Sequence, residues 1–192
     1  MQGYAYSEKP DLKAHAAITR KSASEGMVLL KNEATLPLAQ KLNVALIGVT
    51  SYDFIAGGTG SGDVNEAYTV SLEEGLQNNG YTINEIAKKT YQDHKAANEE
   101  AFKKPEGMNA MFSPFTPPQI EYTDALMQDI VNSSDVAVVT IGRNSGEGGD
   151  RVVKDDWLLS QLEQEMLNKT MEAFHKAGKK VVVVLNIGGV IE

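Results

Sequence analysis

An α/β fold, a three-layer α/β/α sandwich with a mostly parallel sheet, follows from three observations. Three apolar runs, 43–49, 136–142 and 181–187, lack polar alternation, and strands of that kind need cover on both faces. The last two are separated by a helical pattern, and strand–helix–strand with apolar strands is a right-handed crossover in a parallel sheet. At 192 residues the chain is long enough for one domain with a real core and short for two, so a single domain over 1–192 is expected.

The elements are read in chain order. Residues 1–10 form a lead-in. Asp11 caps a helix reaching about Glu25, with Ala14, Ala17 and Ile18 at helical spacing. A short extended segment, Val28–Asn32, and a turn at Leu36-Pro37-Leu38 come next. Asn43–Val49 is the first strand, and Ile55–Asn65 is a glycine-rich loop. Ser71 and Glu74 have capping-box spacing and open a helix that stops near Gly80. Tyr81–Ile86 reads as a strand and 87–104 as a polar helix. Residues 105–119 hold four of the six prolines, which excludes a regular helix or central strand there. Gln119–Val131 reads as an amphipathic helix with Ile120, Leu126 and Ile130 on its apolar side. After strand 136–142, Ser160 and Glu163 make a second capping box, opening a helix through Leu162, Met166 and Phe174 to Gly178. Strand 181–187 follows, and a sheet ending on such a strand leads one to expect a further crossover beyond Glu192.

Composition excludes several classes. Net charge is −8, which argues against nucleic acid, since phosphate binding needs a basic face. There are no cysteines, so disulfides and zinc–thiolate sites are excluded. His15, His94 and His175 have no metal-ligand spacing. No apolar run approaches the ~20 residues that span a bilayer, and Met1-Gln2-Gly3-Tyr4 is not the start of a signal peptide. A soluble chain is expected, with no cofactor, nucleic acid or membrane as partner.

Candidate chemistry collects in three loops, Ala56–Asn65, Arg143–Arg151 and Asn186–Gly189. If the strands are parallel, all three leave one edge of the sheet, where ligands bind in open α/β folds. The richest is Arg143-Asn144-Ser145-Gly146-Glu147-Gly148-Gly149-Asp150-Arg151. A carboxylate among three glycines and two arginines fills a core poorly, but it places an acid on an open loop beside groups that tune it. Glu147 as a merely solvated carboxylate is the competing reading. Asp150-Arg151 reads as a local ion pair, and Asp155-Asp156 as solvated charge ahead of a helix. Trp157 reads as core or interface. In Gly57-Gly58-Thr59-Gly60-Ser61-Gly62 no GxGxxG fits and no lysine follows. A close approach to another backbone is the expected use of its glycines. A nucleotide- or small-ligand-binding module built on this loop, and a purely structural buttress, stay open as alternatives.

Several segments together resemble a known family. Ala23-Ser24-Glu25-Gly26-Met27-Val28-Leu29-Leu30-Lys31-Asn32 is followed by Leu36-Pro37-Leu38, Val44–Gly48, the Gly57–Gly62 loop, Ser145–Arg151 and Val183-Val184-Leu185-Asn186. In this order they resemble the second domain of glycoside hydrolase family 3 enzymes, the β-glucosidase and β-xylosidase group. The resemblance implies a sandwich domain packed on a β/α barrel. The barrel carries the aspartate nucleophile, and the second domain supplies the general acid/base of a retaining glycosidase. In the subgroup with a Ser-Gly-Glu-Gly-x-Asp-Arg loop that residue is the glutamate, here Glu147. Asp150, Arg151 and Arg143 are then expected to bind substrate or shape the loop, and Gly57, Gly58, Gly60 and Ser61 to face the barrel. No Ser-Asp-Trp nucleophile motif occurs in the chain, so this segment by itself is expected to be inactive on a β-linked glucoside or oligosaccharide.

Overall fold

A computed structural model describes residues 8–58, 60–62, 64, 66–104, 115–144 and 151–192. The chain divides into two compact units, Met1–Leu36 and Pro37–Glu192. In the first, helix α1 spans Leu12–Gly26 and Asp11 caps it by accepting from the Ala14 amide. None of its residues is buried. The turn after it is built by Asn32, whose Oδ1 accepts from the Thr35 and Leu36 amides at 3.0 Å.

The second unit is a four-stranded, all-parallel sheet in the order β2-β1-β3-β4. Its strands are β1 (Asn43–Ile47), β2 (Thr82–Ile83), β3 (Val136–Arg143) and β4 (Lys180–Ile187). Between them run α2 (Leu72–Asn78), α3 (Glu85–Ala97), α4 (Asp124–Asn132) and α5 (Gln161–Lys176). The period-2 alternation of strand side chains builds two cores. Ala45, Ile47, Ala137, Val139 and Ile141 point to one face with Ala87 of α3, Met127 and Ile130 of α4, and Met166 and Phe174 of α5. Val44, Leu46, Val136 and Val138 point to the other, against Leu72 and Leu76 of α2. Helices thus cover both faces, as the fully apolar strands require, and the expected α/β/α sandwich is present. All eight residues of β3 are buried, the environment that a run without polar alternation needs. β4 is half-buried, with Val183 and Leu185 exposed.

Element limits differ from the sequence reading in several places. The helix expected over 87–104 is α3, Glu85–Ala97, followed by a 3-10 segment at Glu99–Phe102. The strand expected over 81–86 is only Thr82–Ile83, because the Asn84 side chain accepts from the Ala87 amide and opens α3 at once. The helix expected from Gln119 begins at Asp124, capped by Thr123; the prolines at 117 and 118 keep the preceding chain out of helical geometry. Ile120 is buried as expected, but from an irregular segment. The first strand ends at Ile47, since Gly48 takes φ 89° and the chain turns into a short 3-10 segment, Val49–Ser51. At Ser160 the capping box is complete, with Ser160 and Glu163 bonded to each other's backbone.

From β1 the chain crosses over to β2 on one side, then passes back to β3 on the other. The C-terminal ends of β1 and β3 therefore flank a topological switch point, where open α/β sheets place their ligand crevice.

A candidate active-site edge at the strand termini

Gly48–Ser51 leaves β1 and lies across β3. The Thr50 hydroxyl donates to the Thr140 carbonyl at 2.8 Å, and the Ser51 hydroxyl contacts Thr140 Oγ1 at 2.9 Å. This approach is close enough that a Cβ on Gly142 would stand 2.7 Å from Thr50 Cγ2. The Gly48 amide donates to the buried Tyr122 hydroxyl at 2.9 Å. Burial pushes the Tyr122 hydroxyl pKa far above the ordinary tyrosine value, opposed by that amide. Tyr52 stacks on Tyr91 with ring centroids 4.3 Å apart, and its own buried hydroxyl has no partner among the described residues. Tyr91 donates to Asp53 at 2.8 Å, and Lys95 reaches Asp53 at 3.0 Å, tying α3 to the chain leaving β1. For Lys95 burial favours the neutral form, but the Tyr91 and Asp53 hydrogen bonds outweigh it and the pKa is raised.

Described ends of the three expected loops meet at this edge. Asn186, at the end of β4, grips the backbone of Ile55 from both sides: its Oδ1 accepts from the Ile55 amide at 2.8 Å and its Nδ2 donates to the carbonyl at 3.2 Å. The Gly188 amide donates to the Arg143 carbonyl at 3.3 Å. Gly189 lies under Arg151, so near that an added Cβ would be 2.8 Å from Nη2.

Within the glycine-rich loop, Gly60–Gly62, with Ser61 between them, forms a 3-10 turn. It is closed by the Gly58 amide donating to the Gly62 carbonyl at 3.1 Å. A Cβ on Gly57 would stand 3.1 Å from that same carbonyl. The loop packs on its own backbone, and the Gly58 donor that a phosphate would need is already used.

Around the acidic stretch, Glu147 and Asp150 lie outside the described residues; both flanks are described. Arg143, 4% exposed, is the last residue of β3. Its Nη1 and Nη2 donate to Glu163 Oε1 and Oε2 at 2.6 and 2.8 Å, its Nη1 to the Gly142 carbonyl at 2.8 Å, and its Nε to the Asp156 carbonyl at 2.8 Å. Arg151 pairs with the carboxylate of Asp156, whose other oxygen accepts from the Val152 amide at 3.2 Å. Arg143 thus faces protein, and its fork-to-fork pairing with Glu163 is the geometry guanidinium favours when buried.

Sequence reasoning missed two residues here. Asp156, read as solvated charge, joins both arginines. Glu163, read as a helix cap, is also the buried counterion of Arg143. Its cap role has a local pattern; its ion pair, twenty residues away in sequence, has none. Trp157 donates to Glu192 at 3.1 Å. Val152, Val153 and Val190 stand exposed beside this edge, apolar surface of the kind that marks an interaction face. Among the described residues no group of acidic or histidine side chains has metal-site geometry, and no helix is long and apolar enough to cross a membrane.

Comparison with known proteins places this edge in context. The chain is 33% identical over 171 residues to a β-glucosidase of Ruminococcus albus, covering 88% of this chain and 17% of that protein. It is 31% identical to β-glucosidase A of Butyrivibrio fibrisolvens over 93% of this chain and 23% of that one. The structure of β-glucosidase 3B from Thermotoga neapolitana, solved in complex with α-D-glucose, superposes with a TM-score of 0.83 at 37% identity. That match covers 97% of this chain and 26% of the Thermotoga chain. The chain therefore spans about a quarter or less of the proteins it resembles. Residues 27–192 match the glycosyl hydrolase family 3 C-terminal domain, and the chain belongs to that family.

Proposed function

We propose that this chain is part of the acid/base-bearing sandwich domain of a longer retaining β-glucosidase, with Glu147 as general acid and base. The nucleophile and most of the glucose-binding groups then lie on a β/α barrel domain of the same protein. The observation that supports the reading is where the described flanks of Glu147 lie: Arg143 ends β3 at the switch point, held by Glu163 and the Asp156 carbonyl, and Arg151 pairs with the Asp156 carboxylate.

The chemistry follows from two carboxyl groups. A carboxylate nucleophile attacks C1 of the glucosyl residue as the C1–O bond breaks, and Glu147 gives its proton to the departing oxygen. Ionised Glu147 then takes a proton from water, whose oxygen attacks C1 and releases the nucleophile. One carboxyl group cannot run both halves, so the isolated chain is expected to leave aryl β-glucosides intact. Glycines on both sides of Glu147 suit a residue that must approach a sugar held by another domain.

Kinetics of Glu147→Ala in the full-length enzyme test the proposal. With a poor, alcohol-type leaving group kcat/KM should fall on the order of 10²–10⁴-fold. With an activated aryl glucoside, whose leaving group needs little protonation, the loss of kcat/KM should be far smaller. Equal losses on both substrates would reject Glu147 as the acid.

A further inference from the structure

Arg143 and Arg151 bracket the seven residues 144–150, and both are attached to Asp156. Its carboxylate holds Arg151 and the Val152 amide. Its carbonyl holds Arg143 Nε at 2.8 Å, and Arg143 Nε also stands 3.8 Å from Asp156 Oδ1. The residue before it, Asp155, takes φ 60°, a conformation short polar side chains tolerate and others resist. That turn brings the Asp156 carboxylate to Arg151 and the Val152 amide. Behind Arg143, Glu163 fixes the guanidinium with two bonds and is itself held by the Ser160 amide at 2.8 Å.

We propose that Asp156 is a positioning residue for the proton-transfer step, acting through Arg151 at one end of the Glu147 loop and Arg143 at the other. This rests on the reading of Glu147 as acid and base. Fixing both flanks bounds the space that any residue between them can explore, and misplacement by about 1 Å is enough to cost ~10²-fold in rate. The two ends differ in kind. Arg143 is buried against Glu163 and belongs to the folded core. Arg151 and Asp156 are part-buried, 20% and 28% exposed at the side chain, a less enclosed pair than Arg143 and Glu163. Losing the Asp156 carboxylate therefore releases the far end of the loop while leaving the Arg143–Glu163 pair in place. Among the described residues Arg151 Nη2 has no hydrogen-bond partner, and Asp156 is the anion paired with this guanidinium, which lies over Gly189.

The experiment compares Asp156→Ala, Asp156→Asn, Arg151→Ala, the double variant Asp156→Ala/Arg151→Ala and Glu147→Ala in the full-length enzyme. Each is assayed on a poor and an activated β-glucoside, with its melting temperature. Asp156→Asn keeps an acceptor for the Val152 amide while removing the charge, so it reads the same effect if the alanine variant folds poorly. The expected result is a roughly 10- to 100-fold loss of kcat/KM on the poor leaving group, with a much smaller loss on the activated one. The double variant should be no worse than its more damaged single parent, because the two side chains act as one unit. The inference is overturned if Glu147→Ala shows leaving-group-dependent loss while the Asp156 variants lose nothing, or lose equally on both substrates. If Glu147→Ala itself shows no such dependence, the acid/base reading fails first and the positioning role falls with it.

Discussion

Removing either member of the buried Arg143–Glu163 pair should be among the most damaging single changes in the sandwich. Both side chains are nearly inaccessible, 4% and 5% exposed, so neither can turn to water for compensation. In Arg143→Met the Glu163 carboxylate loses its two guanidinium bonds at 2.6 and 2.8 Å and keeps only the Ser160 amide. The Gly142 and Asp156 carbonyls lose a donor each. A stranded buried charge costs about 3–5 kcal/mol, and this dominates the separate hydrogen-bond losses. Glu163→Leu strands Arg143 in the same way and also removes half of a capping box, about 1 kcal/mol more. In Arg143→Met/Glu163→Leu no charge is left unpaired, so the double variant should be at least ~2 kcal/mol better than the sum of its parents. Urea unfolding followed by circular dichroism measures all three. Additive losses, or single-variant losses below about 1 kcal/mol, would show that the pair is not the buried counter-charged unit described here.

Three further outcomes follow from the same geometry. Tyr122→Phe removes the acceptor of the buried Gly48 amide and should cost about 1–3 kcal/mol in chemical denaturation, whereas Tyr52→Phe deletes an unpartnered buried hydroxyl and should be neutral or stabilising. Gly142→Ala forces a methyl group to 2.7 Å from Thr50 Cγ2 and should lower stability by about 1–3 kcal/mol. Burial raises the pKa of both Tyr52 and Tyr122 above the unfolded tyrosine value, helped at Tyr52 by the charges of Tyr122 and Glu73. Their contribution is thus complete below pH about 10 and lost as pH climbs above it. Absorbance at 295 nm should show both ionising only together with loss of the circular dichroism signal.

Where the sequence was legible, local rules and tertiary environment agreed. The apolar runs at 136–142 and 181–187 sit in a parallel sheet, the first wholly buried and the second half-buried at the edge of the sheet. Asp11, Ser71 and Ser160 cap helices because their side chains bond amides three residues on. Misreadings arose where a cap lay inside an apolar stretch. Asn84 cuts short what reads as a strand, and Thr123 caps a helix that starts at Asp124, five residues after the expected Gln119. The candidate edge was legible as a convergence of glycine-rich strand exits. Its fastening was not. Glu163, Asn186 and Tyr122 bond partners that no local spacing relates, such as Asn186 with Ile55 and Tyr122 with Gly48, and Asp156 joins Arg151 nearby to Arg143 at the end of β3. Their roles come from which strand ends the topology places together.

The central claim, that Glu147 supplies and removes the proton, is tested most directly by what azide does to Glu147→Ala in the full-length enzyme. With an activated aryl β-glucoside the variant should accumulate glucosyl-enzyme, because water lacks its base. Azide attacks C1 without base assistance. Added azide should therefore restore turnover and be consumed into β-glucosyl azide, its retained anomeric configuration readable by proton NMR. No acceleration and no adduct would contradict the account, as would an α-configured adduct, which requires single displacement.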